Sequence, residues 1–114
     1  MVNEIKVTFP GNLKVAAAVG DFTVVTDQPE KSGGNNSAPS PTEYFLASIA
    51  TCSAYFALKF CRTRNIDTSN MRLKMGYGWN REQKRYPKLS IELELPDGFP
   101  DKYRKAIILS LIHI

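Results

Sequence analysis

Two thiols carry most of the chemical potential in this sequence. Cys52 and Cys61 lie nine positions apart in an apolar stretch. That spacing matches neither a zinc site nor a CxxC redox pair. On one helix the two sulfurs point to nearly opposite sides and lie ~13 Å apart along the axis. A disulfide needs Cα atoms within about 7 Å, so they cannot bridge within one straight helix. Cys61 therefore reads as a packing residue, with a bridge between subunits as the other option. Cys52 reads either as core filler, the usual fate of a free cysteine, or as a nucleophile. The thiolate is the reactive form, and apolar burial raises a thiol pKa. The start of a helix lies about three turns upstream, too far for its dipole to help. A reactive Cys52 thus needs a cation from elsewhere. Lys14 and Lys6 on early strands are candidates, as is Arg62 or Arg64 of a second subunit. Glu43 could orient such a cation, or could simply belong to a helix cap; the residues leave both readings open. No phosphate-binding glycine loop, Ser/His/Asp set or metal-ligand cluster is present, so no cofactor and no metal are expected.

The elements that must position these residues follow from periodicity. Residues 3–9 alternate, with Ile5, Val7 and Phe9 on one face, and predict a strand. Pro10-Gly11-Asn12 marks a turn. Residues 13–19 and 22–26 predict two more strands, completing a three-stranded meander. Residues 28–40 shift to Pro, Gly, Ser and Asn and read as a surface loop without a regular element, more simply a connector than a functional segment. Ser40-Pro41-Thr42-Glu43 predicts a helix start with a capping box. The helix should run to about Arg64, with Asn65 ending it. Phe45, Ile49, Cys52, Phe56 and Phe60 form one apolar face, and Leu46, Ala50, Ala54, Leu58 and Cys61 another. A helix apolar on most sides should be surrounded by protein, and a second subunit is a candidate for part of that cover.

Beyond the helix, residues 71–79 and 88–95 alternate again. Folded into a hairpin centred on Gln83, Lys74 faces Glu92, Arg72 faces Glu94, Leu73 faces Leu93 and Met75 faces Ile91, which pairs like with like and charge with countercharge. Arg81-Glu82-Gln83-Lys84-Arg85 then forms a solvated turn rather than a nucleic-acid contact. Asp101 is expected to cap a second helix from about Lys102. Three strands, a long buried central helix, a β-hairpin and a second helix make the fold class α+β, in a single domain over residues 1–114.

Bulk properties narrow the partners. The 114 residues carry 15 Lys and Arg against 11 Asp and Glu, a net +4, scattered rather than blocked. Neither nucleic acid nor membrane is expected as a partner. The uncharged run 44–58 is shorter than the roughly 20 apolar residues of a spanning helix. Without an apolar leader in Met1–Lys6, a cytoplasmic protein with reduced thiols is expected. Residues 109–114, Leu-Ser-Leu-Ile-His-Ile, match one reading frame of a sequencing-library transposon end. They are expected to be a non-native tail, and His113, the only histidine, with them; a genuine apolar tail is the other reading.

The segment from Gly34 to Cys52, GNNSAPSPTEYFLASIATC, resembles the OsmC/Ohr-like family. Its members carry a proline-led helix start, then Glu, an apolar helix and Cys. Residues 22–29, FTVVTDQP, and 103–107, YRKAI, are similar to it as well, so the resemblance covers most of 5–108. It implies an intertwined homodimer, with the long helices buried between two curved sheets. It also implies that Cys52 is the thiol that attacks an organic hydroperoxide and becomes a sulfenic acid. A later cysteine then resolves it as a disulfide that a dithiol reductant reopens, and an early-strand Arg paired with Glu activates the thiol. This chain departs from the pattern. Aligned on Pro41, the usual Glu position holds Thr42, with Glu43 one residue late. No Arg precedes Arg62, leaving Lys14 to stand in. The resolving cysteine would fall beyond Lys105. The expectation is an OsmC-like stress protein acting as a thiol-dependent peroxidase, with Cys52, Glu43 and Lys14 as its site. The alternative is a non-catalytic dimer that binds a small apolar ligand.

Overall fold

The computed structural model describes residues 3–86 and 88–111. The chain divides into two compact units, one through Ala47 and one from Ser48. Strands β1 (Lys6–Gly11), β2 (Lys14–Val19) and β3 (Phe22–Thr26) form an antiparallel sheet in sequential order. Helix α1 (Pro41–Thr63) begins in the first unit and continues into the second. There follow β4 (Arg72–Tyr77), β5 (Leu89–Glu94) and α2 (Arg104–Leu111). The α+β order read from the sequence is the order observed.

In the first unit, Val7, Ala17 and Val24 align across the three strands, so their side chains share one face. Ala16, on the opposite face, is buried. The following loop corrects the expectation of a plain connector. Glu30–Ser32 makes one 3₁₀ turn, ended by Gly33 at φ 95°. The chain then folds back, with Gly34 N–H donating to the Pro29 carbonyl at 3.1 Å and Asn36 N–H to the Gln28 carbonyl at 3.0 Å. The Asn12 amide, in the β1–β2 turn, donates to Gly33 O and Asn35 Oδ1, both at 3.0 Å. Composition suggested freedom here because Gly and Asn suit turns; they are present because the turns are tight. A Cβ at Gly34 would lie 2.5 Å from the Gln28 carbonyl carbon and 2.8 Å from its Cα. Gly34→Ala should therefore destabilise the fold by about 1–3 kcal/mol, the usual cost of overpacking. The check is a lower urea midpoint with the slope unchanged.

Both ends of α1 follow the sequence. Glu43 N–H donates to Ser40 Oγ at 3.2 Å and Ser40 N–H to Glu43 Oε1 at 3.1 Å, which closes the capping box. At the other end Asn65 takes φ 56°. Ile66 N–H reaches the Cys61 carbonyl at 2.9 Å and Asn65 N–H the Arg62 carbonyl at 3.2 Å. That pair of bonds is a Schellman motif. Ile66 packs on the cluster that contains Cys61, supplying the motif's apolar contact.

The second unit holds the larger core: Ala57, Phe60, Cys61, Phe99 and Ile107, flanked by Ile66, Met71, Leu93, Leu95 and Tyr103. The β4–β5 register is the one expected, with Arg72 opposite Glu94, Leu73 opposite Leu93, Lys74 opposite Glu92 and Met75 opposite Ile91. The ion pair that forms is diagonal, Lys74 to Glu94 at 3.3 Å. Asp101 does not cap α2 as expected. It opens a 3₁₀ turn with no side-chain cap bond, and its carboxylate accepts from Arg104 Nε at 2.8 Å. Residues 109–111 continue α2, while Ile112, His113 and Ile114 lie outside the described residues.

The expectation that α1 is enclosed on nearly all sides is not met within one chain. Leu46, Ser53, Ala57, Phe60 and Cys61 are buried, whereas Phe45, Tyr55 and Leu58 are 61%, 54% and 39% exposed. One chain supplies cover for one stripe only. The helix has the length expected from its two caps, although its uncharged run 44–58 is shorter. At 23 residues, with a mean hydropathy of 1.3 in its apolar window, it is long and apolar enough to cross a membrane by length and composition.

Candidate functional site

The two thiols occupy different environments. Cys61 is fully buried in the second-unit core. Burial pushes its thiol up from the ordinary value, opposed by the Arg64 guanidinium. A thiol kept protonated in an apolar core is a poor nucleophile, so its assignment to packing agrees with its surroundings. Arg64 is held over the Phe60 ring, 3.6 Å from the centroid, and donates to the Phe60 carbonyl at 3.1 Å. Cys52, two and a half turns earlier, is only half-buried.

Cys52 shares its stripe with half-buried Ile49 and Phe56, and Phe56 packs edge to face with Tyr55 at 5.5 Å. Its neighbour Ser53 is buried, with its hydroxyl donating back to the Ile49 carbonyl at 3.0 Å, which satisfies the one polar group that points inward. On a different side of α1, away from the stripe of Cys52 at 100° per residue, lies an open apolar groove of about 380 Å³, lined by Thr51, Ala54, Tyr55, Leu58, Thr68 and Met71. That volume is in the range of small-molecule sites.

The other two expected site residues lie in the first unit. Lys14 begins β2 and is half-buried. Glu43 is exposed in the first turn of α1, and its carboxylate is engaged in the capping box. Neither unit by itself contains all three of Cys52, Lys14 and Glu43. Among the described residues no cluster of His, Cys, Asp or Glu could hold a metal ion.

Sequence reading missed Asp27. Its side chain is fully buried. Oδ2 accepts from the Ser37 hydroxyl at 2.6 Å, Ser37 N–H at 3.0 Å and Asn35 N–H at 3.3 Å, and Oδ1 accepts from Gln28 N–H at 2.7 Å. The Asp27 N–H itself donates to the Pro39 carbonyl at 3.1 Å. The Ser37 hydroxyl, followed by these backbone donors, holds the carboxyl down at about 2. One carboxylate thus fixes the whole passage from β3 to the start of α1. The available signal was an Asp followed by a Gly/Asn/Ser loop, since Asp commonly binds nearby backbone N–H groups.

The family model described as OsmC-like protein matches residues 34–111. Among solved structures, the chain is similar to an osmotic stress induced and detoxification response protein from Psychrobacter arcticus, so described, at 23% identity and a TM-score of 0.79. That match covers 98% of this chain and 82% of the other. An OsmC-like protein from Mycoplasma pneumoniae matches at 12% identity and a TM-score of 0.74, covering 97% and 80%. An organic hydroperoxide resistance protein from Legionella pneumophila matches at 16% identity and a TM-score of 0.59, covering 99% and 83%. No curated protein matches the chain.

Proposed function

As the chain belongs to the OsmC-like protein family, we propose that it is a thiol-dependent peroxidase that reduces organic hydroperoxides through Cys52. The observation that carries this reading is the contrast between the two thiols: Cys52 is partly accessible and Cys61 is sealed in the core. The similar Legionella pneumophila protein is an organic hydroperoxide resistance protein, which supports the substrate class.

In the proposed reaction the Cys52 thiolate attacks the distal oxygen of the hydroperoxide. The O–O bond breaks, the S–O bond forms, and the alkoxide leaves and takes up a proton as the alcohol. Sulfur is oxidised to the sulfenic acid, which a thiol of a dithiol reductant attacks with loss of water. The reductant's second thiol then displaces Cys52 as a thiolate. Lys14 supplies the cation that favours the thiolate and Glu43 orients it. A second copy of the chain covers the apolar faces that one chain leaves exposed on α1, which makes the working form a homodimer in the cytoplasm.

A second reading is favoured by the open apolar groove on another side of α1: a non-catalytic dimer that binds a small apolar ligand, with Cys52 as packing. One experiment separates the two. A substoichiometric organic hydroperoxide is added in the presence of a dimedone-type trap, and the adduct is mapped by mass spectrometry. The peroxidase reading expects the adduct on Cys52 and none on Cys61. No adduct, with apolar-ligand affinity unchanged in Cys52→Ser, assigns the protein to the second reading.

A further inference from the structure

The hairpin between β4 and β5 ends in a cluster that the thiol chemistry does not use. Tyr86 packs edge to face against Trp79, with ring centroids 5.1 Å apart, and against Tyr77 at 6.0 Å. A bridge between Asn80 and Arg85 closes the turn, and the Asn80 side chain accepts from Gln83 N–H at 2.9 Å. These bonds hold the tip in shape. The cluster is nonetheless open: Tyr77 is 57% and Trp79 55% exposed. Around it stand exposed Arg81, Lys84, Arg85 and Lys88, with Glu82 the acid in the same turn.

We propose that this hairpin tip docks the protein on an anionic phospholipid surface. Exposed Trp and Tyr suit a bilayer boundary, where the ring bodies leave water while the indole N–H and phenol O–H stay hydrated. Flanking Lys and Arg reach anionic headgroups, each strengthening attachment. A basic aromatic tip could instead hold single-stranded nucleic acid, but that needs ring faces free to stack on bases. Here the rings cross at 67° and 75°, so ring edges abut neighbouring faces. This arrangement presents amphipathic bulk rather than a stacking platform. The sequence reading expected a merely solvated turn, because the charges of 81–85 fall in the hairpin loop, and no membrane partner, because the run 44–58 is shorter than a spanning helix. The inference does not rest on the thiol chemistry, and its test measures attachment alone.

Trp79 is the only tryptophan, so its fluorescence reports the tip directly. The full chain is titrated with phosphatidylglycerol-rich vesicles and with pure phosphatidylcholine vesicles, some of each carrying brominated acyl chains. With the anionic vesicles the emission should move to the blue and be quenched by bromine, and added salt should reverse both. Each tip cation is worth about fivefold in affinity, so Arg81→Gln/Lys88→Gln should bind about 25-fold more weakly. The charge-matched control Lys6→Gln/Lys31→Gln should bind nearly as well as the wild type, and so should Cys52→Ser. Several results would overturn the proposal: no blue shift or bromine quenching, equal losses in the two charge variants, or no loss in Arg81→Gln/Lys88→Gln. Stronger Trp79 quenching by a single-stranded oligonucleotide than by vesicles would assign the tip to nucleic acid instead.

Discussion

Cys52→Ser should reduce organic hydroperoxide turnover to the background rate, a fall of at least about a thousandfold, while Cys61→Ser should leave the chemical step within a fewfold of the wild type. Serine keeps the size and shape of the thiol but not its nucleophilicity. Covalent catalysis that loses its nucleophile retains only what binding and orientation supply. Stopped-flow consumption of a hydroperoxide under single-turnover conditions reads the first step without a reductant. It therefore does not depend on how the sulfenic acid is resolved. The second thiol provides the control. Cys61 is fully buried, so Cys61→Ser places a hydroxyl in an apolar core and should cost about 1–3 kcal/mol of stability. The two variants should separate cleanly, one losing chemistry and keeping its melting temperature, the other the reverse. Turnover that survives in Cys52→Ser, or that vanishes only in Cys61→Ser under conditions where it remains folded, would remove the peroxidase reading.

What could be read in advance depended on how local the determining physics is. The capping box is legible because its partners, Ser40 and Glu43, are three residues apart. The hairpin register is legible because a strand has a period of two, so sliding by one residue would bring Leu73 and Leu93 to the wrong face. Within that register the ion pair is not legible: Lys74 faces Glu92 but bonds Glu94, since strand twist and long side chains bring diagonal neighbours within reach. For α1, apolar periodicity showed which side chains seek cover but not what covers them. Phe45, Tyr55 and Leu58 remain exposed in a single chain, so the pattern reports a demand that one copy leaves unmet. The candidate site was legible only in its central atom. Cys52 stood out by type and by resemblance, whereas Lys14 and Glu43 fall in the other unit, and sequence spacing does not determine whether tertiary structure groups them with it. The role of Asp27 was only faintly signalled, for a related reason. Its partners Asn35 and Ser37 lie eight and ten residues on, and only the folded loop turns their N–H groups inward.

That buried carboxylate should be the most sensitive structural position in the first unit. Asp27→Asn replaces an acceptor-only group with one that presents an NH₂ to inward-pointing donors, and Asp27→Ala leaves those donors without a partner. Buried donors left unsatisfied are expensive, so either variant should lower the melting temperature by roughly 10 °C for a domain of this size. The pH dependence identifies the charge as the cause. The Asp27 carboxyl is depressed from 3.8 to about 2 by the Ser37 hydroxyl and the surrounding N–H groups. A group whose folded value lies below its unfolded value stabilises the fold fully above the unfolded value. It loses that contribution as pH falls through the folded one. Wild-type stability should therefore drop between about pH 4 and pH 2 by more than that of Asp27→Asn, and the two acid limbs should converge near pH 2. Ser37→Ala removes the largest single cause and moves the folded value back toward the ordinary one, so its acid limb should begin where the wild type's does but be smaller and end at higher pH. Thermal melts across this range read all three proteins. Parallel acid limbs in wild type and Asp27→Asn would mean that the carboxyl titrates alike in the folded and unfolded states, and the loop would then need another account of what holds it.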